Sequence, residues 1–264
     1  TAATGLTAGA LTSTTGNVAA QYAAGAVVLG AVTAAVGGVD VDAVGGTLTT
    51  GAITAAANLS LSSSGALRTG ALTSRNGSVQ VESLTGSVAL TTVSARTGVT
   101  ASAGSSLALT SFTVTAGGAT LSAATDFSLT KGTATGAIGL TMGGQGSLGT
   151  VTSSASTLNA QSTSGGMRFT ALKSFGALTL RTAGALTSGT GVGYSLFGGT
   201  LDAGTAVDVQ STSGGIQVTR LTARTASRIT TGSGPLTISA VSLLPASLLV
   251  ATTGSGTRTV PLGY

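Results

Sequence analysis

Residues 65–85 read GALRTGALTSRNGSVQVESLT and contain the pattern from which the fold can be predicted. They contain three short pieces in which apolar residues alternate with polar or small ones, at residues 67–69, 72–74 and 79–81. A period of two is typical of β-strands, because successive side chains point to opposite faces of a sheet. Glycine and asparagine separate the pieces and favour tight turns. The stretch therefore predicts three short strands joined by turns.

The same three pieces recur along the chain with a nearly constant period, which is about 20 residues and lies in the range typical of solenoids. The three series include Leu59, Val79 and Val99, then Leu48, Leu67 and Val88, and finally Ile53, Leu72 and Val93. Three strands per repeat at a fixed period predict an all-β fold, a parallel β-helix (β-solenoid) with three short strands per turn. Stacking at about 4.8 Å per turn would align each series into a parallel sheet. We predict one such domain over residues 1–264.

The period is interrupted once, because the step from Leu186 to Ile216 is half as long again as the other steps of its series. This spacing predicts an insertion at about residues 187–203, which contains Tyr194 and Phe197. Insertions in repeat proteins lie on one face and often bind ligands. The segment is therefore a candidate recognition loop, and the plainer interpretation is a bulged loop or an extra strand.

All three prolines, Pro235, Pro245 and Pro261, lie close to the C-terminal end of the chain. Proline cannot donate a hydrogen bond to a sheet ladder. We therefore expect regular coiling to weaken or end over residues 245–264.

The first turn begins in register at Leu6 and Leu11, and no capping segment is apparent before it. An uncovered solenoid end exposes strand edges that can pair with another chain. We expect one of two partners at this place. Either copies associate end to end, with the end around Leu248, Val250 and Val260 meeting the Thr1 end, or a longer chain continues there.

Composition excludes several functional classes. Cysteine and histidine are absent, which removes disulfides, thiolate and imidazole chemistry and the usual zinc sites. The chain is 42% hydrophobic and 6% charged, unlike a disordered chain, and it contains no apolar run long enough for a membrane-spanning segment. The acidic residues are scattered along the sequence: Asp40, Asp42, Glu82, Asp126, Asp202 and Asp208. We predict no enzymatic activity, no catalytic residues, no cofactor and no metal site.

The formal net charge of +5 comes from residues 133–264, which hold seven basic residues and two acids. Arg220, Arg224 and Arg228 form the densest basic cluster and are predicted to face outward. They are a candidate contact for a polyanion, such as an acidic surface polysaccharide or lipopolysaccharide, and the plainer interpretation is a solubilising role. Nucleic acid is a poor partner, because aromatic residues for stacking make up only 3% of the chain.

Threonines recur at one outward position of the repeat, at Thr12, Thr33 and Thr54. A flat threonine array raises ice binding as an alternative function. The adjacent outward rank contains Arg75 and Arg96, whose long side chains would disturb a flat surface. Strand propensity and hydroxyl ladders are the plainer explanation of the threonines.

Turns of the form G-x-L-x-x-G-x-L-T, seen at residues 65–73, resemble the filamentous haemagglutinin-type repeats of large bacterial exoproteins secreted by the two-partner route. The resemblance extends over nearly the whole chain. It implies a right-handed β-helical shaft, secreted to the bacterial cell surface, with no catalytic residues to transfer.

We therefore expect a non-enzymatic extracellular structural protein, either a shaft segment or a fibre subunit of a bacterial adhesin or filament. Its expected roles are adhesion, biofilm formation or surface scaffolding. A polysaccharide-binding or polysaccharide-processing β-helix is the first alternative, and an ice-binding solenoid is the second. Processing would need clustered carboxylates, which the sequence does not group.

Overall fold

Short strands and tight turns form the chain throughout residues 5–244 and 248–260, which are the residues that the computed structural model describes. The strands are rich in Val, Leu, Ile and Thr, whose branched side chains suit a pleated, half-buried surface. The fold is an all-β parallel β-solenoid of about 13 turns with roughly 20 residues per turn. This confirms the predicted fold class. No helix occurs in the described residues.

The first of two compact units ends at Thr125. Its strands are β1 (Gly5–Ala8), β2 (Leu11–Ser13), β3 (Val18–Tyr22), β4 (Ala26–Leu29), β5 (Val32–Ala34), β6 (Val39–Ala43), β7 (Leu48–Thr50), β8 (Ile53–Ala55), β9 (Leu59–Ser63), β10 (Leu67–Thr69), β11 (Leu72–Ser74), β12 (Ser78–Ser83), β13 (Val88–Ala95), β14 (Gly98–Ala103), β15 (Leu107–Val114) and β16 (Gly118–Ala123). β3, β6, β9, β12, β14 and β16 pair in that order in one parallel sheet, and the other strands pair in a second parallel sheet.

The second unit begins at Asp126. Its strands are β17 (Phe127–Ala134), β18 (Ile138–Met142), β19 (Gly146–Ser153), β20 (Leu158–Ser162), β21 (Met167–Ser174), β22 (Leu178–Thr182), β23 (Tyr194–Ala203), β24 (Val207–Ser211), β25 (Gly215–Ala223), β26 (Ser227–Thr231), β27 (Leu236–Leu243), β28 (Leu249–Thr253) and β29 (Arg258–Thr259). The even-numbered strands form one parallel sheet of this unit and the odd-numbered strands form the other. The prediction of one domain over residues 1–264 stays a prediction.

In the earlier turns each turn has three separate strands. From β13 onward, two of these strands are joined into one longer strand. Within β13 the alternation of buried and exposed residues is broken by Thr91 and Thr92, which are both exposed. Two consecutive outward residues mark a bend, since an unbent strand would bury one of them. The joined strand therefore keeps the two inward-facing segments that the sequence predicts.

The aliphatic series stack into buried ladders, as predicted. Val81 lies between Leu61 and Ala101 on the neighbouring strands and is only 1% exposed. Leu109 is also buried, whereas Gln80 points outward. Burying a side chain of this size contributes about 1.5–3 kcal/mol relative to leaving it exposed. The inward register of the repeat is thereby confirmed.

Small polar residues occupy the inner side of the turns and hold their backbone. The hydroxyl of Ser83 donates to the carbonyl of Gly65 at 2.7 Å and accepts from the amide of Gly86 at 3.1 Å. Ser162 makes the same pair of contacts in the second unit, with the carbonyl of Gly144 and the amide of Gly165. Each serine satisfies backbone groups that the turn would otherwise bury without partners.

The insertion ends earlier than the predicted segment 187–203, because the regular ladder resumes at Leu196. Leu196, and not Leu186, pairs with Met167, and residues 196–203 continue the regular ladder. Leu186 is also buried, although it precedes the loop. Two apolar residues ten positions apart thus both face inward, and only one of them belongs to the periodic series.

The regular burial pattern weakens after Ile238, since the second half of β27 is half-buried or exposed. β28 still pairs with β26, and β29 has only two residues, both exposed. Pro245 and Pro261, on which the predicted weakening depends, lie outside the described residues.

Candidate binding surfaces on the second unit

The three arginines that cluster in the sequence are placed on different parts of the turn. Arg220 lies at the bend within β25, Arg224 follows β25, and Arg228 points outward from β26. Arg224 and Arg228 line two separate surface depressions. A polyanion contact made by these three side chains stays a prediction.

The first depression has a volume of about 420 Å³, and Gly204 is one of the residues that line it. Phe175, Gly204 and Arg224 each follow the last residue of a strand in three successive turns, β21, β23 and β25. Gly204 has no side chain, and a Cβ atom there would overlap the carbonyl oxygen of Phe175. Phe175 and Arg224 thus flank a glycine, and we refer to this feature as the Gly204 notch.

Phe175 is the exposed aromatic wall of the notch. Its exposed fraction is 68%, whereas Phe112, Phe127 and Phe169 are buried in the core. The ring is therefore accessible to a ligand without any change in the packing of the core.

Charged and hydroxyl groups complete the notch. Lys173 points outward from β21 and is paired across the ladder with Asp202 of β23. The remaining polar lining comes from Thr152, Ser153, Ser154, Ser174 and Thr205. The site therefore combines an aromatic ring, two basic side chains, one carboxylate and several hydroxyls.

The second depression lies on the outer face of the sheet formed by β18, β20, β22, β24 and β26. Arg181 donates to the Asp208 carboxylate at 3.1 Å and also to the side-chain oxygen of Gln210. The side chains of Arg181 and Asp208 are 46% and 44% exposed, so this ion pair contributes little to stability. Arg228 lies beside the pair, because it is the ladder partner of Asp208.

A neighbouring depression of about 360 Å³ shares Arg181 and continues this polar face. Its floor is widened by Gly139, where an added Cβ would meet no atom within 4 Å. Asn159 and Gln161 are exposed on the adjoining strand β20. The face therefore presents amides, guanidinium groups and one carboxylate in register, at intervals set by the strand spacing.

The candidate recognition loop folds back onto the solenoid. Leu186 donates its amide to the carbonyl of Tyr194 at 2.7 Å and accepts from the amide of Gly193 at 3.0 Å, which closes the loop between them. Thr187 exchanges two hydrogen bonds with the Gln145 side chain, at 2.6 and 3.2 Å. The Arg168 guanidinium donates to the carbonyl of Ser188 at 3.3 Å. These bonds fix the start of the loop.

Glycines give the loop its path and bring it over an aromatic ring. Gly189, Gly191 and Gly193 all have positive φ, which other residues adopt rarely. At Gly191 a side chain would also overlap the ring of Phe197. The rings of Phe197 and Tyr194 are 5.9 Å apart, and both residues are half-buried. The predicted recognition residues therefore contribute to packing of the loop, and a recognition role for them stays a prediction.

The paired aspartates Asp40 and Asp42 lie on β6 of the first unit. Asp42 accepts hydrogen bonds from Ser62 at 2.5 Å and Gln21 at 3.3 Å. No group of three or more acidic, cysteine or histidine side chains is placed to hold a metal ion within residues 5–244 and 248–260.

The threonine rank is in register as expected, with Thr33 between Thr12 and Thr54 on neighbouring strands. Arg75 and Arg96 are exposed in the adjacent column. Their long side chains interrupt the flat surface that ice binding would require.

Sequence reasoning missed the Gly204 notch and the pairing of Arg181 with Asp208. The available signal for the notch was Phe175, an aromatic residue outside the three apolar series.

No family model, no curated protein and no solved structure matches the chain. The haemagglutinin-type resemblance therefore stays a prediction. Within the described residues, no helix is long and apolar enough to cross a membrane.

Proposed function

We propose that the protein is a non-enzymatic, extracellular structural protein, a β-solenoid shaft or fibre subunit of a bacterial surface adhesin or filament. The observation that supports this proposal is the continuity of the buried ladders within each unit. In the first unit, for example, Val27, Leu48, Leu67 and Val88 follow one another without a break. Such a ladder resists bending, since its strands pair with those of the neighbouring turns on both sides.

The proposed mechanism is mechanical. Stacked turns would hold binding parts away from the cell, and the absence of cysteine would prevent oxidative cross-linking outside it. Labelling intact source cells with an antibody against the chain tests the location. We expect label on the cell surface, and label that appears only after the cells are broken open would contradict the proposal.

End-to-end association is the partner interaction that we propose for the first turn. Leu6 and Leu11 are half-exposed there, whereas Val27 and Val32, their partners in the next turn, are buried. A further turn stacked on this face, from a second copy or from the same chain, would bury the two leucines. Light scattering at high concentration and moderate salt should show association of the 264-residue chain. A monomer under these conditions would contradict end-to-end association.

We predict that the protein will not turn over polysaccharides. Hydrolysis by paired carboxylates needs two acids within about 5–10 Å on opposite sides of one bond. In the second unit, Asp202 and Asp208 line different depressions. In the first unit, Asp40 and Asp42 project from one strand and so lie on the same side of any bound sugar, and Asp42 is already hydrogen-bonded to Ser62 and Gln21. Reducing-end and unsaturated-product assays on a panel of plant and bacterial polysaccharides should therefore remain at the background rate. Turnover that is lost in Asp202→Asn or Asp208→Asn would show that the prediction is wrong.

Binding of a polysaccharide without turnover is a second candidate function. It is favoured by the polar outer face around Arg181, where Asn159, Gln161 and Gln210 are all exposed in register. Amide and guanidinium groups donate and accept in fixed planes, which suits the paired hydroxyls of sugars.

A further inference from the structure

We propose that the Gly204 notch binds a carboxylated sugar ring within an acidic polysaccharide chain. This inference goes beyond the mechanical role and does not depend on it. The site is made by Phe175, Gly204 and Arg224 together with Lys173 and Asp202.

The spacing of the turns gives the notch the width of a sugar. Phe175 and Arg224 are two turns apart, and neighbouring strands in a sheet are about 4.8 Å apart, so their backbones are separated by about 10 Å. Gly204 lies between them and contributes no side chain. A pyranose ring can therefore enter edgewise between the phenyl ring and the guanidinium group and rest on the glycine backbone.

The aromatic wall suits the apolar face of the sugar. The C–H groups on one face of a pyranose are weakly positive, and the face of an aromatic ring is negative. Phe175 is 68% exposed, so it meets a ligand without unpacking the core. Phe197 does not offer such a face, because it is half-buried against Tyr194.

The basic side chains suit a carboxylate. A guanidinium group binds a carboxylate through two parallel hydrogen bonds, and an ammonium group adds a compact positive charge. Arg224 and Lys173 both line the notch, so a carboxylate bound there lies near two positive charges.

The remaining groups limit how much negative charge the notch accepts. Asp202 accepts hydrogen bonds from sugar hydroxyls and repels a second anionic group on the same ring. Thr205 supplies a further hydroxyl. A uronate, with one carboxylate and several hydroxyls, therefore fits better than a heavily sulfated sugar.

Binding of a defined oligosaccharide tests this proposal. The probe is a hexamer of galacturonate, with the neutral hexamer of glucose, maltohexaose, as the comparison, both titrated calorimetrically at near-physiological salt. We expect the galacturonate hexamer to bind and the neutral hexamer to bind at least about tenfold more weakly, since it lacks the charge-assisted bonds. Equal affinity for the two hexamers would overturn the proposal.

Substitutions distinguish binding in the Gly204 notch from general electrostatic attraction to a positively charged protein. Phe175→Ala leaves the charge unchanged and should weaken binding roughly fivefold, whereas Phe175→Tyr should retain it. Arg224→Gln should weaken binding roughly tenfold. The matched control is Arg96→Gln, which removes the same charge from the residue that follows β13 in the first unit and is not part of the notch lining. It should bind as the unmodified protein does.

Two results would overturn the assignment of the site. One is a Phe175→Ala protein that binds the galacturonate hexamer as tightly as the unmodified chain. The other is an equal loss in Arg224→Gln and Arg96→Gln, which would indicate attraction by net charge alone. Thermal unfolding of each variant verifies that the fold is intact, and the exposure of Phe175 makes unfolding of that variant unexpected.

Discussion

A protein in which Val81 is replaced by aspartate is expected not to fold. Val81 is 1% exposed and stacks between Leu61 and Ala101, so the carboxylate would be buried with no basic partner on either neighbouring strand position. An unpaired buried charge costs about 4 kcal/mol or more, which is comparable with the whole stability of many proteins. Circular dichroism and urea unfolding should show loss of the β-sheet signal and of the cooperative transition.

Gln80→Asp is the matched control for this substitution. It introduces the same carboxylate one residue earlier, where the side chain is exposed on β12. We expect its free energy of unfolding to change by less than about 0.5 kcal/mol. A Val81→Asp protein that folds normally while Gln80→Asp fails would mean that the inward register is shifted by one residue.

Replacement of Gly149 by valine should produce the second large loss of stability. A Cβ atom at this position on β19 would overlap the carbonyl oxygen of Thr130 in the preceding turn. Relief of that overlap requires the backbones of two paired strands to separate. We expect the free energy of unfolding to fall by about 3 kcal/mol, as for other overpacked sites. Urea denaturation followed by circular dichroism measures this change.

Gly139→Val is the control that the chain provides on the preceding strand. Gly139 lies on β18, and a Cβ there would meet no atom within 4 Å. Valine is also favoured in strands relative to glycine, so we expect no loss and a gain of up to about 1 kcal/mol. Similar losses in both variants would show that strand glycines are needed for a reason other than close approach of the turns.

The core of the solenoid could be predicted from the sequence because each of its inward positions repeats in every turn. Leu67 and Val88 are one repeat apart, carry the same kind of side chain and are ladder partners. The insertion could not be placed as well, because Leu186 and Leu196 are both apolar and both buried. A hydrophobic pattern cannot distinguish which of two inward residues continues a ladder.

The Gly204 notch could not be predicted from the sequence for a related reason. Phe175 and Gly204 occupy the same column, but the insertion between them makes their separation in the sequence longer than one regular repeat. Arg220, Arg224 and Arg228 show the opposite relation, since they are close in the sequence but lie on different segments of the turn. Arg224 and Arg228 line different depressions.

The loop between Leu186 and Tyr194 shows how a β-solenoid can accommodate inserted residues. It leaves the coil and returns within a few residues, and the ladder resumes at Leu196 with its neighbours unchanged. A peptide of comparable length, such as an antibody epitope or a ligand for another protein, can therefore be grafted at residues 188–192 without redesign of the core. The position is a natural site for display, and for divergence between related chains that keep the same interior.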